Sequence, residues 1–377
     1  MSWIETTQQL ELQEAARAAV RDVVIPVANG VAPGQRLTAA DLSRIFKALQ
    51  PLGYLGSTIP KEYGGAGLSY VDYGLLLEAL ACGPVLLSEV VPPRTINYLG
   101  TEEQKRRWLP KLFSGDWVST AAITEPQAGS DMRRFTCKAV LEGDSYVVNG
   151  KKRWIKLGGV SDLMTLMVLD AAGGLSRLVL ERSESPWQSE DFDTVGIRNL
   201  SLAELTFNDV RVPKENILGT AGDGDEQFHR GIESSRAFIG IQSVGIAKHA
   251  LDIAMQYSKD RFAFGRPLAK FQAVQTALAE AATSLQAARL LCLNALAILD
   301  AGRRAPCDVS MAKLFAVQTS IKVCLVAMES MGAWGLADAA GVERCWRDCC
   351  MLTAIDGTAN VQKLIIGREL LGTTAFT

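Results

Sequence analysis

The chain has 377 residues, 48% of them hydrophobic, which is enough to bury a large core divided among two or three packed units and too apolar for a disordered protein. Its 39 basic and 41 acidic residues nearly cancel to a net charge of -2, and no run of like charge forms a stripe suited to nucleic acid or an anionic membrane. Eight irregularly spaced cysteines and only two histidines suit reduced, buried thiols rather than a disulfide framework or a metal centre.

The first twenty residues mix acids and amides in an amphipathic pattern, without the basic and apolar regions of a secretory signal. No uninterrupted apolar stretch reads as long enough to span a bilayer, so the expectation is a cytoplasmic protein without a membrane partner. From residue 1 to about 117 apolar residues recur at helical spacing, as at Leu42, Ile45, Phe46 and Leu49, and turn-rich breaks such as Gly64-Gly65-Ala66-Gly67 divide the helices. Between about 118 and 225 the period becomes two, with Tyr146–Val148 entering a tight turn, then 163–169 and 178–180, which predicts a β domain. From about 226 to 377 long Ala- and Leu-rich helical patterns return over 237–258, 268–301 and 308–331, which predicts a bundle that packs on several neighbours or a second subunit. Helix, β, helix is an uncommon three-part order that argues against the usual flavin or nicotinamide folds, and no Gly-x-Gly-x-x-Gly follows a strand to hold a pyrophosphate.

Ala122-Ile123-Thr124-Glu125-Pro126-Gln127-Ala128-Gly129-Ser130-Asp131 reads as a strand end followed by a tight turn, whose backbone N–H groups and hydroxyls suit an oxygen-rich ligand. Alone it is equally an ordinary loop. It resembles the flavin-binding signature of the acyl-CoA dehydrogenase family, and six further segments, two before it and four after, stand in family order. These are Lys61–Gly67, Leu99–Lys105, Asn149–Ile155, Phe207–Pro213, Arg261–Leu268 and Asp356–Asn360. The resemblance covers essentially the whole chain and implies an α+β multidomain fold: an N-terminal helical domain, a β-barrel-like middle domain and a C-terminal four-helix bundle, assembled as a homotetramer or dimer. It implies FAD as cofactor and an acyl thioester on coenzyme A or a carrier protein as substrate, the latter as in relatives serving secondary metabolism. An electron-transferring flavoprotein or oxygen would accept the electrons.

Carried over by position, the resemblance gives Thr124 a hydrogen bond to the isoalloxazine, Ser130 one to the pyrophosphate, and Trp154 a place along the flavin. Ile123, Gly129, Thr358 and Asn360 join the cofactor-binding set, while Arg261, Phe264, Glu329 and Gly332 reach FAD from a neighbouring subunit. Ser130, Arg236 and Gly357 fall at substrate-contacting positions. Asp356 stands where many members carry a glutamate base, and a carboxylate suits removal of a thioester α-proton. Being one methylene shorter, it withdraws the oxygens by roughly 1.5 Å. The family's other base position is Ser235, leaving Glu233 as a reserve candidate. Lys156 replaces a threonine that contacts flavin N5, and Glu329 replaces a glutamine. Val91-Pro92-Pro93 interrupts what resembles a helix beside the acyl pocket. These departures keep two other readings open: an oxidase resembling nitroalkane oxidase, which also uses aspartate, and a non-catalytic partner subunit.

Overall fold

The computed structural model describes residues 4–32, 34–222 and 224–375, with the side chains of 225–230 outside the described set. The first helices are α1 (Thr7–Ala19), α2 (Ile25–Asn29), α3 (Ala39–Leu49), α4 (Tyr70–Leu80), α5 (Val91–Leu99) and α6 (Glu102–Phe113). Local signals set their starts. Thr6, Thr38 and Thr101 each accept a hydrogen bond from the third helical N–H, and the residue there (Gln9, Asp41, Gln104) accepts one in return from the cap backbone N–H. The pair Pro92-Pro93 corrects the sequence reading: α5 begins at Val91, so both prolines lie in its first turn, where missing N–H donors cost nothing. The helix is opened by the prolines, not interrupted.

The middle strands are β1 (Ser119–Ala122), β2 (Lys138–Glu142), β3 (Ser145–Lys156), β4 (Leu163–Leu169), β5 (Leu175–Glu181), β6 (Gln188–Asp191), β7 (Leu202–Pro213) and β8 (Ile217–Leu218). Their order is β6-β7-β3-β2-β4-β5-β8, with β1 parallel to β4. Among the described residues β2 meets β4 at a single register pair, Lys138 with Leu169, so the sheet folds over there. Ala139 and Val148 from one half then share a core with Met164, Leu166 and Leu178 from the other. The register of β3 against β7 slips between Lys152 and Ile155, at a bulge where Trp154 has φ 65°.

The last region holds α7 (Gly224–Asp260), a small hairpin of β9 (Phe262–Ala263) and β10 (Arg266–Pro267), α8 (Gln272–Asp300), α9 (Pro306–Ser330), α10 (Val342–Met351) and α11 (Ala359–Leu371). By length and mean hydropathy α8 and α9 are each long and apolar enough to cross a bilayer, contrary to the sequence reading. Here they pack against α7, and Ala288, Leu293, Leu296, Val309, Ala316 and Val323 join the core it shares with the N-terminal helices. Close approach of α4 to α7 depends on Gly245, where a Cβ would lie 2.2 Å from the Glu78 carbonyl oxygen. That contact locks the first and last regions together around the buried segment 85–89, which links α4 to α5.

Candidate active site

The loop after β1 is organised by a buried ion pair. Lys152 and Glu125 are wholly enclosed, their charged atoms 2.9 Å apart, and Lys152 also donates to the Ile123 carbonyl at 2.7 Å. Glu125 accepts from the backbone N–H groups of Thr136 (2.7 Å) and Cys137 (3.1 Å). Burial opposes its ionisation, yet Lys152 and these donors hold its pKa below the ordinary value. Gln127 bonds Glu125 as well, and a reciprocal Glu125–Ala128 backbone pair closes the turn. The hydrogen bonds of this pair all stay inside the protein.

What the loop leaves over points outward. The Thr124 carbonyl accepts from the Arg153 N–H, but neither the Thr124 nor the Ser130 hydroxyl has a hydrogen-bond partner among the described residues. Gly129 and Ser130 are exposed. Beside them the β3 bulge turns Trp154 out, 53% exposed, its ring 5.0 Å from that of Phe192. Free hydroxyls next to an open indole face fit a flat, hydrogen-bonding group such as the flavin of FAD.

Asp356 lies in the turn between α10 and α11 with φ 55°, followed by Gly357 at φ 98°. Aspartate is among the few non-glycine side chains that tolerate this left-handed conformation. Two cations fix the turn by its backbone: Arg236 donates to the Asp356 carbonyl (3.3 Å) and Lys313 to the Gly357 carbonyl. Gln362 adds bonds to both, at 3.1 and 3.0 Å. The carboxyl group is therefore left free of the contacts that hold its loop. Burial pushes its pKa above the ordinary value and Glu89 adds to this, while Lys313, Arg236 and Arg94 oppose it.

Facing Asp356 is a set of charges that sequence reasoning missed. Glu89 forms an ion pair with Arg94 (2.9 Å) and accepts from Ser235 (2.7 Å). Arg94 further donates to Ser234 (2.6 Å) and the Gly231 carbonyl (2.7 Å). Ser235, at the family's alternative base position, thus carries a carboxylate delivered from the segment before α5. Lys156, expected at the flavin edge, sends its ammonium to the Ser88 hydroxyl. Burial pulls Lys156 and Lys313 down to about 8 each, against the attraction of Asp356. A faint signal existed in Lys313, a lysine among Val309, Ala312, Ala316 and Val317.

Other expected residues fall elsewhere. Glu233, the reserve base, is taken up by Arg304 (2.5 Å) and by the backbone N–H of Ala305, where α9 begins. Its carboxylate is a structural tie, which corrects the idea of a free base. Thr358 caps α11 by accepting from the Val361 N–H at 3.5 Å, and Asn360 is exposed. Arg261, Glu329 and Gly332 do come together, lining with Tyr257, Leu268 and Trp334 a cavity of about 650 Å³. Phe264, at the tip of the β9–β10 hairpin, is 94% exposed with φ 52°.

Three family models match in sequence order: the acyl-CoA dehydrogenase N-terminal domain over 6–116, the middle domain over 120–210 and the C-terminal domain over 222–371. The chain belongs to the acyl-CoA dehydrogenase family. It is 36% identical over 341 residues to the probable acyl-CoA dehydrogenase YngJ of Bacillus subtilis (strain 168), covering 86% of this chain and 89% of that protein. The solved glutaryl-coenzyme A dehydrogenase glutaryl-CoA complex superposes with a TM-score of 0.92 at 32% identity, covering 99% of this chain and 97% of that one. The prolyl acyl carrier protein oxidase AnaB gives 0.89 at 26% identity, covering 98% and 100%. This acyl-CoA dehydrogenase is a flavoprotein oxidoreductase acting on CH–CH bonds, FAD is its cofactor, and its general reaction is dehydrogenation of an acyl thioester.

Proposed function

We propose that Asp356 is the base that removes the α-proton of the acyl thioester. The observation that carries this is the placement of its carboxyl group: half-buried, raised in pKa by desolvation, and spared by cations that bind the backbone of its turn instead. A raised pKa brings the carboxylate closer to a thioester carbon acid, and a fixed turn limits the misplacement that proton abstraction tolerates poorly. Lys313 and Arg236 hold the turn in position, and Asp356 accepts the proton. Bound FAD supplies the hydride acceptor for the β-carbon. Thr124 and Ser130 would hold that cofactor by hydrogen bonds and Trp154 by its open face. Arg261, Glu329, Gly332 and the protruding Phe264 would complete a neighbouring copy's cofactor site in a homotetramer or dimer.

The thioester is carried by coenzyme A or by the phosphopantetheine arm of a carrier protein, as similarity to AnaB supports, and a role in secondary metabolism goes with the second carrier. Electrons pass on to an electron-transferring flavoprotein or to oxygen, in the cytoplasm.

The test is anaerobic titration of the FAD-bound protein with a panel of acyl-CoA and acyl-pantetheine thioesters, read by loss of the oxidised flavin absorbance. Bleaching is expected with the unsubstituted protein. Asp356→Asn should retain FAD and slow bleaching by about 10²–10⁴-fold. A rate within a few-fold of the unsubstituted protein would remove Asp356 from the role.

A further inference from the structure

Around the carboxyl group of Asp356 the charges do not balance. Arg94, Lys156, Arg236 and Lys313 contribute four cations against two carboxylates, Glu89 and Asp356. The members differ in how far they are already satisfied. Both oxygens of Glu89 are engaged, by Arg94 and Ser235, so that pair is closed and neutral. Arg236 and Lys313 donate to the backbone of the catalytic turn. Lys156 and Lys313 each make one hydrogen bond, to a neutral acceptor, and each keeps two of its three N–H donors without a partner among the described residues; Lys156 differs in that its bond goes to the Ser88 hydroxyl and not to the catalytic turn.

The position of Lys156 also bounds the substrate. Its backbone ends β3, where Thr120 fixes its carbonyl at 2.6 Å, and its side chain spans from there to the segment before α5. That segment is rigid at this point: Tyr54 donates to the Ser88 carbonyl at 2.7 Å, and Tyr73 in turn to the Tyr54 carbonyl at 3.1 Å. A long alkyl chain placed against the Lys156 ammonium would press methylenes on a charge whose hydrogen bonds Ser88 only partly supplies. Isolated buried charge is costly, and a bound anion removes that cost while a hydrocarbon raises it.

Resting on the reading of Asp356 as the base of an acyl-thioester dehydrogenase, we infer that the acyl pocket takes a short acyl group ending in a carboxylate, which the Lys156 ammonium and the Ser88 hydroxyl bind. Lys156 and Ser88 recognise the far end of the acyl group, whereas Asp356 acts on its α-carbon.

The experiment uses FAD-bound Asp356→Asn protein, so that ligands bind without turnover, and calorimetric titration with three four-carbon acyl-pantetheines: succinyl, butyryl and 3-hydroxybutyryl. Pantetheine is the part common to coenzyme A and carrier protein, so the result does not depend on which carrier is used. Succinyl-pantetheine is expected to bind about 10- to 100-fold tighter than butyryl-pantetheine, the range for a hydrogen bond to a charged group. Adding Lys156→Met should bring the two within about 3-fold, by weakening succinyl alone. Equal or tighter binding of butyryl-pantetheine overturns the inference, as does 3-hydroxybutyryl binding as well as succinyl, and both are read without the Lys156 variant. Equal weakening of all three by Lys156→Met also overturns it. If none of the thioesters binds, the thioester reading itself fails and the subsite falls with it.

Discussion

Two charge clusters, with Lys152 of one and Lys156 of the other on β3, are built on opposite principles. Around Glu125 and Lys152 one anion meets one cation, and backbone groups with the Gln127 and Thr136 side chains take up the remainder. Around Asp356 the cations outnumber the anions and two lysines sit near 8. Both clusters cost desolvation, yet only the first is closed. A closed cluster can do nothing but hold a loop, here the one that presents Thr124 and Ser130. An open one keeps unused donors and a free carboxyl group, which is what binding and proton transfer require.

The largest effect should come from opening the closed cluster. Glu125→Gln leaves Lys152 buried without its anion and is expected to cost about 3–5 kcal/mol, with weakened FAD retention, measured by denaturant unfolding and the flavin absorbance of the purified protein. An unchanged midpoint would mean the pair is not the organiser of the loop.

Relieving the open cluster should act with the opposite sign. Lys156 has a folded pKa of about 8 against 10.5 for the free side chain, so in the folded state its charge is disfavoured. The penalty is fully present below pH 8, shrinks as pH rises from 8 toward 10.5, and vanishes above. Lys156→Met should therefore stabilise the FAD-free protein by about 1–3 kcal/mol below pH 8, and the advantage should fade toward pH 10.5, as thermal melts across that range will register. A pH-independent difference would place the ammonium in solvent.

A smaller loss, about 1–3 kcal/mol, is expected for Glu233→Gln, because the Ala305 N–H and Arg304 lose a charged acceptor at the start of α9. Anaerobic flavin reduction should proceed at an essentially unchanged rate, and a collapse of that rate at retained stability would restore Glu233 as a base. The smallest effect on the single chain belongs to Phe264→Ala, within roughly 0.5 kcal/mol at so exposed a site. Sedimentation should instead show weaker self-association, and unaltered assembly would free Phe264 from any interface.

The contrast between the clusters also marks how much could be read from sequence. Strand β4 was legible because six of its seven residues are apolar, with Thr165 the one polar member, and α8 and α9 because Ala and Leu recur without breakers. Asp356 and the Thr124 loop were legible through neighbouring residues in fixed order. Ser88, Glu89, Arg94 and Lys313 were not, since they meet only when the segment before α5, α5 itself, α7 and α9 converge, and charge in an apolar stretch looks the same in sequence whether it will be exposed or enclosed. The prolines of α5 were misplaced because their meaning depends on which residue begins the helix, a boundary that composition does not mark.

The left-handed turn at Asp356 has a consequence for how this position can change at all. With φ at 55° and Gly357 at 98°, a substitution is screened by the backbone before its chemistry is ever tried. Glycine and asparagine pass that screen, β-branched residues do not, and a glutamate gains reach only at the cost of a conformation it adopts less readily. A library covering all twenty residues at 356 would then sort twice: first by how much folded protein accumulates, and only among the survivors by whether a carboxylate is present.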